Sequence, residues 1–313
     1  MNSTEKLNKD KDTKSNEILL EKSLFQNNSA SNKKPRNESN ESPKVMLDKI
    51  SLAFLNSNPN QYSEIEMEAK FGTRGIKYLT KMDYDNVIKK LKSLNWETNY
   101  TNGEYLLRIQ PEFLDARTGQ FKTNSDFNRF RIEIQGLNNI QEYCKSNSIK
   151  IVNDKNYQGV KINRKTPVKI EKNKEDTIST ANFDDFNFRV TLSNEEVISK
   201  TGKIGTDVFE NWNKTKKVFR YMNRVTFTHN DYPFKIDLSI VKSSSKNEKG
   251  WMIQTYNIDE SSVFKNPESY EIEIEVDNKG AKQKYANPAD LSNGLQKIVT
   301  QVLSGLQKTN YPI

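Results

Sequence analysis

Glu64-Ile65-Glu66-Met67-Glu68-Ala69-Lys70-Phe71 alternates charged and apolar residues without a break, and Tyr270-Glu271-Ile272-Glu273-Ile274-Glu275-Val276 repeats the pattern far along the chain. Side chains of a β-strand point alternately to its two faces, so each stretch places three carboxylates on one face and apolar groups on the other. Like charges crowded on one sheet face are destabilising unless a cation lies among them. A single strand of this kind would read as one whose glutamate face meets water. Two of them bracketing further strands with cations at alternate positions point instead to a shared, charged interior.

Those cations keep the same parity. Arg129, Arg131, Glu133 and Gln135 share a face, as do Lys161, Asn163 and Lys165, and likewise Arg189, Thr191, Ser193 and Glu195. Arg220, Met222, Arg224, Thr226 and Thr228 make a fourth stripe, and Lys235, Asp237 and Ser239 a fifth. The opposite faces carry Phe130, Ile132, Ile134, Phe188, Val190, Leu192, Ile236, Leu238 and Ile240. Strands are expected at 104–110, 128–135, 158–164, 186–193, 217–228, 233–242 and 270–276, besides the first at 64–71, with Gly103, Gly119 and Gly136 at turns. Helical spacing is read at 45–56, 84–95 and 290–307, with short helical pieces at 138–146 and 194–200. The expected fold is mainly β (α+β): a closed antiparallel β-barrel whose apolar face packs outward against helices and whose interior is a charged tunnel. Grouped carboxylates bind Mg²⁺ or Mn²⁺, hard ions that prefer oxygen, and arginines and lysines facing them suit phosphate oxygens.

Composition narrows the chemistry. The 313 residues contain one cysteine, Cys144, and one histidine, His229. Neither an intramolecular disulfide nor a zinc site of the Cys/His kinds can be built from them. The formal charge of +8 favours a polyanionic partner, although solvated lysines alone would also produce it. Residues 1–44 are rich in Lys, Asn, Ser and Glu and too poor in apolar groups to offset their ordering entropy, so a disordered tail is expected there. The domain is then 45–313, with 243–269 a flexible insertion or flap. No run is apolar or long enough for a membrane span, and no signal peptide is evident, which suits an intracellular protein.

The paired glutamate strands, with Arg220-x-Met222-x-Arg224 and Lys235-Ile236-Asp237-Leu238-Ser239 between them, resemble the triphosphate tunnel metalloenzymes. The chain is most similar in pattern to the RNA triphosphatase domain of viral mRNA capping enzymes, related to fungal RNA triphosphatases. The likeness spans roughly 60–313 and is strongest at Glu64–Gly72, Phe130–Lys145, Phe219–Phe227, Lys235–Lys242 and Tyr270–Val276. It implies an eight-stranded tunnel, metal ligands at Glu66, Glu68, Glu273 and Glu275, and supporting roles for Glu271, Asp237 and Lys70. It also implies phosphate contacts from Arg131, Lys165, Arg189, Arg220 and Arg224. Glu195 is the candidate to orient or deprotonate the attacking water, with Glu196 as its alternative, because a one-residue register shift exchanges them. Related enzymes often carry a basic residue where Met222 stands, so a phosphate contact is missing or comes from Lys217 or Lys235.

The implied activity is metal-dependent removal of the γ-phosphate of nascent mRNA, the first step of capping, together with hydrolysis of nucleoside triphosphates. The alternatives are an inorganic tripolyphosphatase or nucleoside triphosphatase of the same fold, and a non-catalytic RNA-binding barrel. The end of the chain, Leu306–Ile313, looks like a junction into a guanylyltransferase, so the implied partners are such a domain or a separate capping subunit. A viral origin would place the protein in the host cytoplasm or the virion. Competing motifs are missing: the residue six beyond Cys144 is Lys150, not the arginine of a cysteine phosphatase loop, and there is neither a P-loop nor Lys-x-Asp-Gly. Gly202-Lys203-Ile204-Gly205 reads as a plain turn, His229 as a turn residue and Cys144 as a packed hydrophobe.

Overall fold

The computed structural model describes residues 42–58, 63–71, 78–98, 103–115, 120–122, 130–171, 177–178, 180–182 and 188–306. Most of the lysine-rich tail, Gly72, Gly119, Arg129 and the last residues of the chain lie outside them. Eight long strands form the frame: β1 Ser63–Phe71, β2 Glu104–Pro111, β3 Phe130–Gln135, β4 Val160–Pro167, β5 Arg189–Val197, β6 Lys217–His229, β7 Tyr232–Ser243 and β8 Ser269–Val276. Every neighbouring pair is antiparallel, in the order β1-β8-β7-β6-β2-β3-β4-β5, and β5 pairs back onto β1 to close the ring. The expected closed antiparallel eight-stranded barrel is therefore present. Residues 180–182 extend the sheet beside the start of β5.

Among the described residues, seven α-helices accompany the barrel: α1 Pro43–Leu55, α2 Lys81–Ser93, α3 Leu137–Ser146, α4 Ile149–Lys155, α5 Lys203–Glu210, α6 Asn278–Lys284 and α7 Pro288–Leu303. Local chemistry sets their starts. Thr80 and Asp83 form a reciprocal capping box on α2, with Thr80 N–H donating to Asp83 Oδ2 at 2.9 Å and Asp83 N–H to Thr80 Oγ1 at 3.1 Å. Asn287 caps α7, whose first position is Pro288. Gly103 enters β2 at φ 76° against β6, where a Cβ would fall 1.8 Å from Asn223 Oδ1.

The apolar faces of the strands point outward into two cores. Met67, Ala69 and Phe71 of β1, Ile236 and Leu238 of β7, and Ile272 and Ile274 of β8 pack with α1, α2 and α7. Leu107, Ile109, Ile132, Ile134 and Ile162 pack on the other side with α3, α4 and Trp212. Each fully buried aliphatic or aromatic side chain in these cores contributes roughly 1.5–3 kcal/mol of transfer free energy. The barrel is thus clamped from outside, which leaves its interior free to be polar.

Two expectations change. Residues 194–197 continue β5 instead of opening a helix; the next helix is α5, and Gly202 is its N-cap rather than part of a plain turn. The reason is pairing, since Glu195 lies opposite Lys165 and Glu196 opposite Arg164 across β4. The connection over 243–269 packs on the barrel. Lys217 and Thr255 exchange backbone hydrogen bonds at 2.8 and 3.0 Å, and Ile258 and Val263 are buried in the second core.

Candidate active site

The register places one continuous set of side chains inside. Glu68 lies opposite Glu275, Lys70 opposite Glu273, Glu66 opposite Ser193 and Glu64 opposite Glu195. Asp237 faces Glu273 and Thr226, and Lys235 faces Glu275. Arg108 lies opposite Glu133, and Arg131 opposite Asn163. The candidate residues Glu66, Glu68, Lys70, Arg131, Lys165, Arg189, Glu195, Arg220, Arg224, Asp237, Glu271, Glu273 and Glu275 therefore share one inward face.

Their charges interlock. Lys165 Nζ bridges Glu66 and Glu68, at 2.7 Å from the latter, and Thr191 Oγ1 donates to Glu68 at 3.2 Å. Lys70 Nζ sits 3.2 Å from Glu68 and 3.0 Å from Glu273. Arg131 approaches Glu195 at 3.5 Å, Arg224 lies 3.1 Å from Asp237, and Lys235 lies 3.7 Å from Glu275. Thr226 Oγ1 donates to Asp237 at 2.6 Å. Arg220 reaches across β7 and gives one nitrogen to both oxygens of Glu271, at 2.6 and 2.7 Å.

Burial acts on these groups in opposite directions. It pushes the Glu195 carboxyl up to about 7, reinforced by the charge of the hydrogen-bonded Glu66 and opposed by Arg131. Burial also raises Glu275 to about 7; Lys235 opposes, while Glu66, Asp237 and Glu64 add to the rise. Burial works against ionised Glu273 too, but Lys70, Arg224 and Arg108 overcome it and hold that carboxyl far below its ordinary range. Glu66 is lowered against its desolvation by Lys165, and Lys165 is raised against its own desolvation by Glu68 and Glu66. Asp237 is raised by burial despite Arg224 and Thr226. The interior thus separates glutamates that remain ionised from two, Glu195 and Glu275, that hold a proton near neutrality.

Several positions differ from the sequence reading or complete it. Glu196 pairs with Arg164 on the outer face, so Glu195 alone of the two faces the tunnel. Lys217 points outward and is fully buried, with Nζ donating to the carbonyls of Thr215 at 2.6 Å and Tyr256 at 3.1 Å, beneath the Trp212 ring. It cannot replace a phosphate contact. Met222 packs with Leu106 and Val241 as an apolar band inside the tunnel, which explains the absence of a basic residue there. Arg108 was missed. It donates to Glu133 at 2.6 Å in mid-tunnel, and its parity is masked in sequence because Leu106 occupies the same inward face. His229 closes β6, packed on Tyr232 and Trp96, and Cys144 is half-buried on α3 with its thiol raised by burial.

The donor set suits a hard cation chemically. Four glutamates come from two directly paired strands, and a cation among them would offset the burial that raises Glu275. Among the described residues, no three acidic, histidine or cysteine side chains are already gathered about one point, because Lys165 and Lys70 lie between the carboxylates. The interior also retains unspent polar groups. Arg224 Nε, Asn163 Oδ1 and Ser193 Oγ are buried without a hydrogen-bond partner, which is uncommon unless a ligand or water completes them.

No protein-family model matches the chain, and no curated protein matches it in sequence. Among solved structures it is similar to the S. pombe Pct1 RNA triphosphatase, at 14% identity and a TM-score of 0.44, over 90% of this chain and 100% of that one. The same S. pombe protein in complex with the Spt5 CTD gives 13% identity and a TM-score of 0.40, over 88% and 92% of the two chains. The class of the molecule rests on its strand order and inward face: a closed antiparallel barrel with a charged, water-accessible tunnel.

Proposed function

We propose that this chain is a metal-dependent RNA 5′-triphosphatase that removes the γ-phosphate of nascent transcripts and also hydrolyses free nucleoside triphosphates. The observation that carries the reading is the interlocking of both charges inside the tunnel. Glutamates of β1 and β8 face inward, and Arg131, Lys165, Arg108 and Arg224 reach in among them from β2, β3, β4 and β6. A cationic groove for RNA alone would gain nothing from so many inward carboxylates, which repel a polyanion.

In this reading Glu66, Glu68, Glu273 and Glu275 would hold Mg²⁺ or Mn²⁺, which would supply charge neutralisation at the γ-phosphate. Arg131, Arg189, Arg224 and Lys165 bind the remaining phosphate oxygens, the Nε of Arg224 being still unpaired. Arg220, tied to Glu271, and Lys165, tied to Glu66 and Glu68, would have to exchange partners to contribute. Glu195 takes a proton from water as the water oxygen bonds to the γ-phosphorus. The bond from that phosphorus to the β,γ-bridging oxygen breaks, giving orthophosphate and a diphosphate end. A carboxyl held near 7 is matched to accepting a proton at neutral pH. Asp237 and Glu271 hold the arginines in place.

Within capping, the next reaction consumes a diphosphate-ended RNA, so the expected partner is a guanylyltransferase, as a C-terminal domain of a longer viral polypeptide or as a separate subunit. No helix among the described residues is long and apolar enough to cross a membrane. The proposed location is intracellular, in host cytoplasm or virion. The test is kcat/KM for triphosphate-ended RNA, free nucleoside triphosphates and inorganic tripolyphosphate at low and high salt. We expect turnover of all three, little preference among the bases, and an RNA advantage that shrinks as salt rises. Turnover of tripolyphosphate alone would refute the RNA assignment.

A further inference from the structure

Among the described residues, the tunnel opens to the surface beside the start of β4 and the end of β5. A cavity of about 1060 Å³ runs from the surface down to Glu66, Glu133 and Glu195, and Tyr157, Val197 and Lys200 line its outer part. Tyr157, on a single 3₁₀ turn just before β4, is 59% exposed, and Val197, at the end of β5, is 58% exposed. Lys200 covers one face of the Tyr157 ring at 3.9 Å, its Nζ held by Asn153 Oδ1 at 2.9 Å and by the Tyr157 carbonyl, while Lys161, the exposed neighbour of Glu133 across the β3–β4 pair, and Lys279 line the same opening with Glu64 and Asp277. Past Arg224, toward the start of β6, the inward face instead meets the apolar band of Leu106, Met222 and Val241, and Arg220 is spent on Glu271.

We infer that the opening beside Tyr157 and Val197 is the entrance by which RNA reaches the tunnel, with the free face of the Tyr157 ring and Val197 receiving the first nucleobases and Lys161 their phosphates. The inference rests on the triphosphatase reading and adds to it a direction and a rim. A triphosphate buried among Glu66, Arg131 and Glu195 remains covalently tied to a nucleotide chain, and that chain must leave through an opening continuous with those residues. An exposed ring and an exposed aliphatic group at the lip of a polar cavity suit single-stranded nucleic acid, since every base has a stacking face whatever its identity. Flanking lysines track the backbone and make the contact salt-dependent. Exposed apolar side chains scattered singly need no explanation, but these two sit on adjacent strand ends around one cavity.

Tripolyphosphate carries no base to stack on the rim, so it separates the rim from the chemistry. The experiment compares wild type, Tyr157→Ala, Tyr157→Phe, Val197→Ser and Lys161→Ala on short triphosphate-ended RNA and on inorganic tripolyphosphate with Mn²⁺. Tyr157→Ala is expected to lower kcat/KM for RNA about tenfold through KM, in line with loss of one base stack, and to leave tripolyphosphate turnover within about twofold. Tyr157→Phe should retain the RNA rate, and Lys161→Ala should flatten its salt dependence. RNA turnover that the rim variants leave intact, or that falls in step with tripolyphosphate, would overturn the entrance while sparing the triphosphatase reading. Wild-type turnover of tripolyphosphate with none of RNA would overturn both.

Discussion

Replacing Glu195 by Gln should make the metal-free protein more stable at alkaline pH while removing its hydrolytic activity. The carboxyl has its ordinary value of 4.5 in the unfolded chain and is pushed up to about 7 in the folded one. The folded state therefore holds this proton more tightly than the unfolded state does. Its contribution to stability is fully present below the unfolded value and is lost as pH rises through the folded one. Across that window, at about 1.4 kcal/mol per pH unit, ionised Glu195 costs the fold about 3 kcal/mol by pH 8. Glutamine imitates the protonated form, can still donate to Glu66, and removes that cost. For a chain of this size the gain corresponds to roughly 6 °C in melting temperature. The assay is calorimetric melting with chelator at pH 5 and pH 8, alongside phosphate release at neutral pH. We expect the two proteins to melt within about 2 °C of each other at pH 5 and to separate at pH 8, the variant melting higher. A variant that melts at or below wild type at pH 8 would refute the crowding of Glu195 against Glu66.

Three further outcomes follow from particular contacts. Arg108→Ala should destabilise the fold by about 3–5 kcal/mol in denaturant titrations, because Glu133 would be left buried without its cation; a loss under about 1 kcal/mol would place Arg108 outside the network. Met222→Lys, which places a basic residue in the tunnel, should lower the melting temperature and leave RNA kcat/KM no higher, since its neighbours are Leu106 and Val241; a gain in kcat/KM would show that the band yields to phosphate. Thr80→Ala should cost about 1 kcal/mol of stability by breaking the capping box on α2, with phosphate release unchanged; an unaltered denaturation midpoint would show that the cap is idle.

Much of the architecture was legible because β-alternation is a strict period. Once Glu66 and Glu68 are placed inward, parity alone puts Met67 and Ala69 in the outer core, and the same holds for Glu273 and Glu275 with Ile272 and Ile274. The features that escaped depend on neighbours in space. Arg108 was hidden by Leu106, whose presence on the inward face makes sense only beside Met222 and Val241. The Ser193-Asn194-Glu195-Glu196 run has the local composition of a helix start, yet pairing with Lys165 and Arg164 draws it into β5. Lys217 carries the same charge as the tunnel lysines, and only its position one residue out of phase with Arg220 turns it into a buried clamp between Thr215 and Tyr256. That phase also separates Glu195 from Glu196, which composition could not do. Which glutamates stay ionised was likewise unreadable, because it depends on how Lys165, Lys70 and Arg224 are shared among them.

The central claim is that the glutamates of β1 and β8 hold a divalent cation against the γ-phosphate of a polynucleotide. It is tested most directly by orthophosphate release from γ-labelled triphosphate-ended RNA, with and without Mn²⁺, by wild type and by Glu68→Ala and Glu275→Ala. The account predicts release by wild type only with metal, and loss of more than about nine-tenths of it, or ~1.4 kcal/mol in the barrier, in either variant with the fold retained. Metal-independent release, or variants that keep more activity than that, would contradict it.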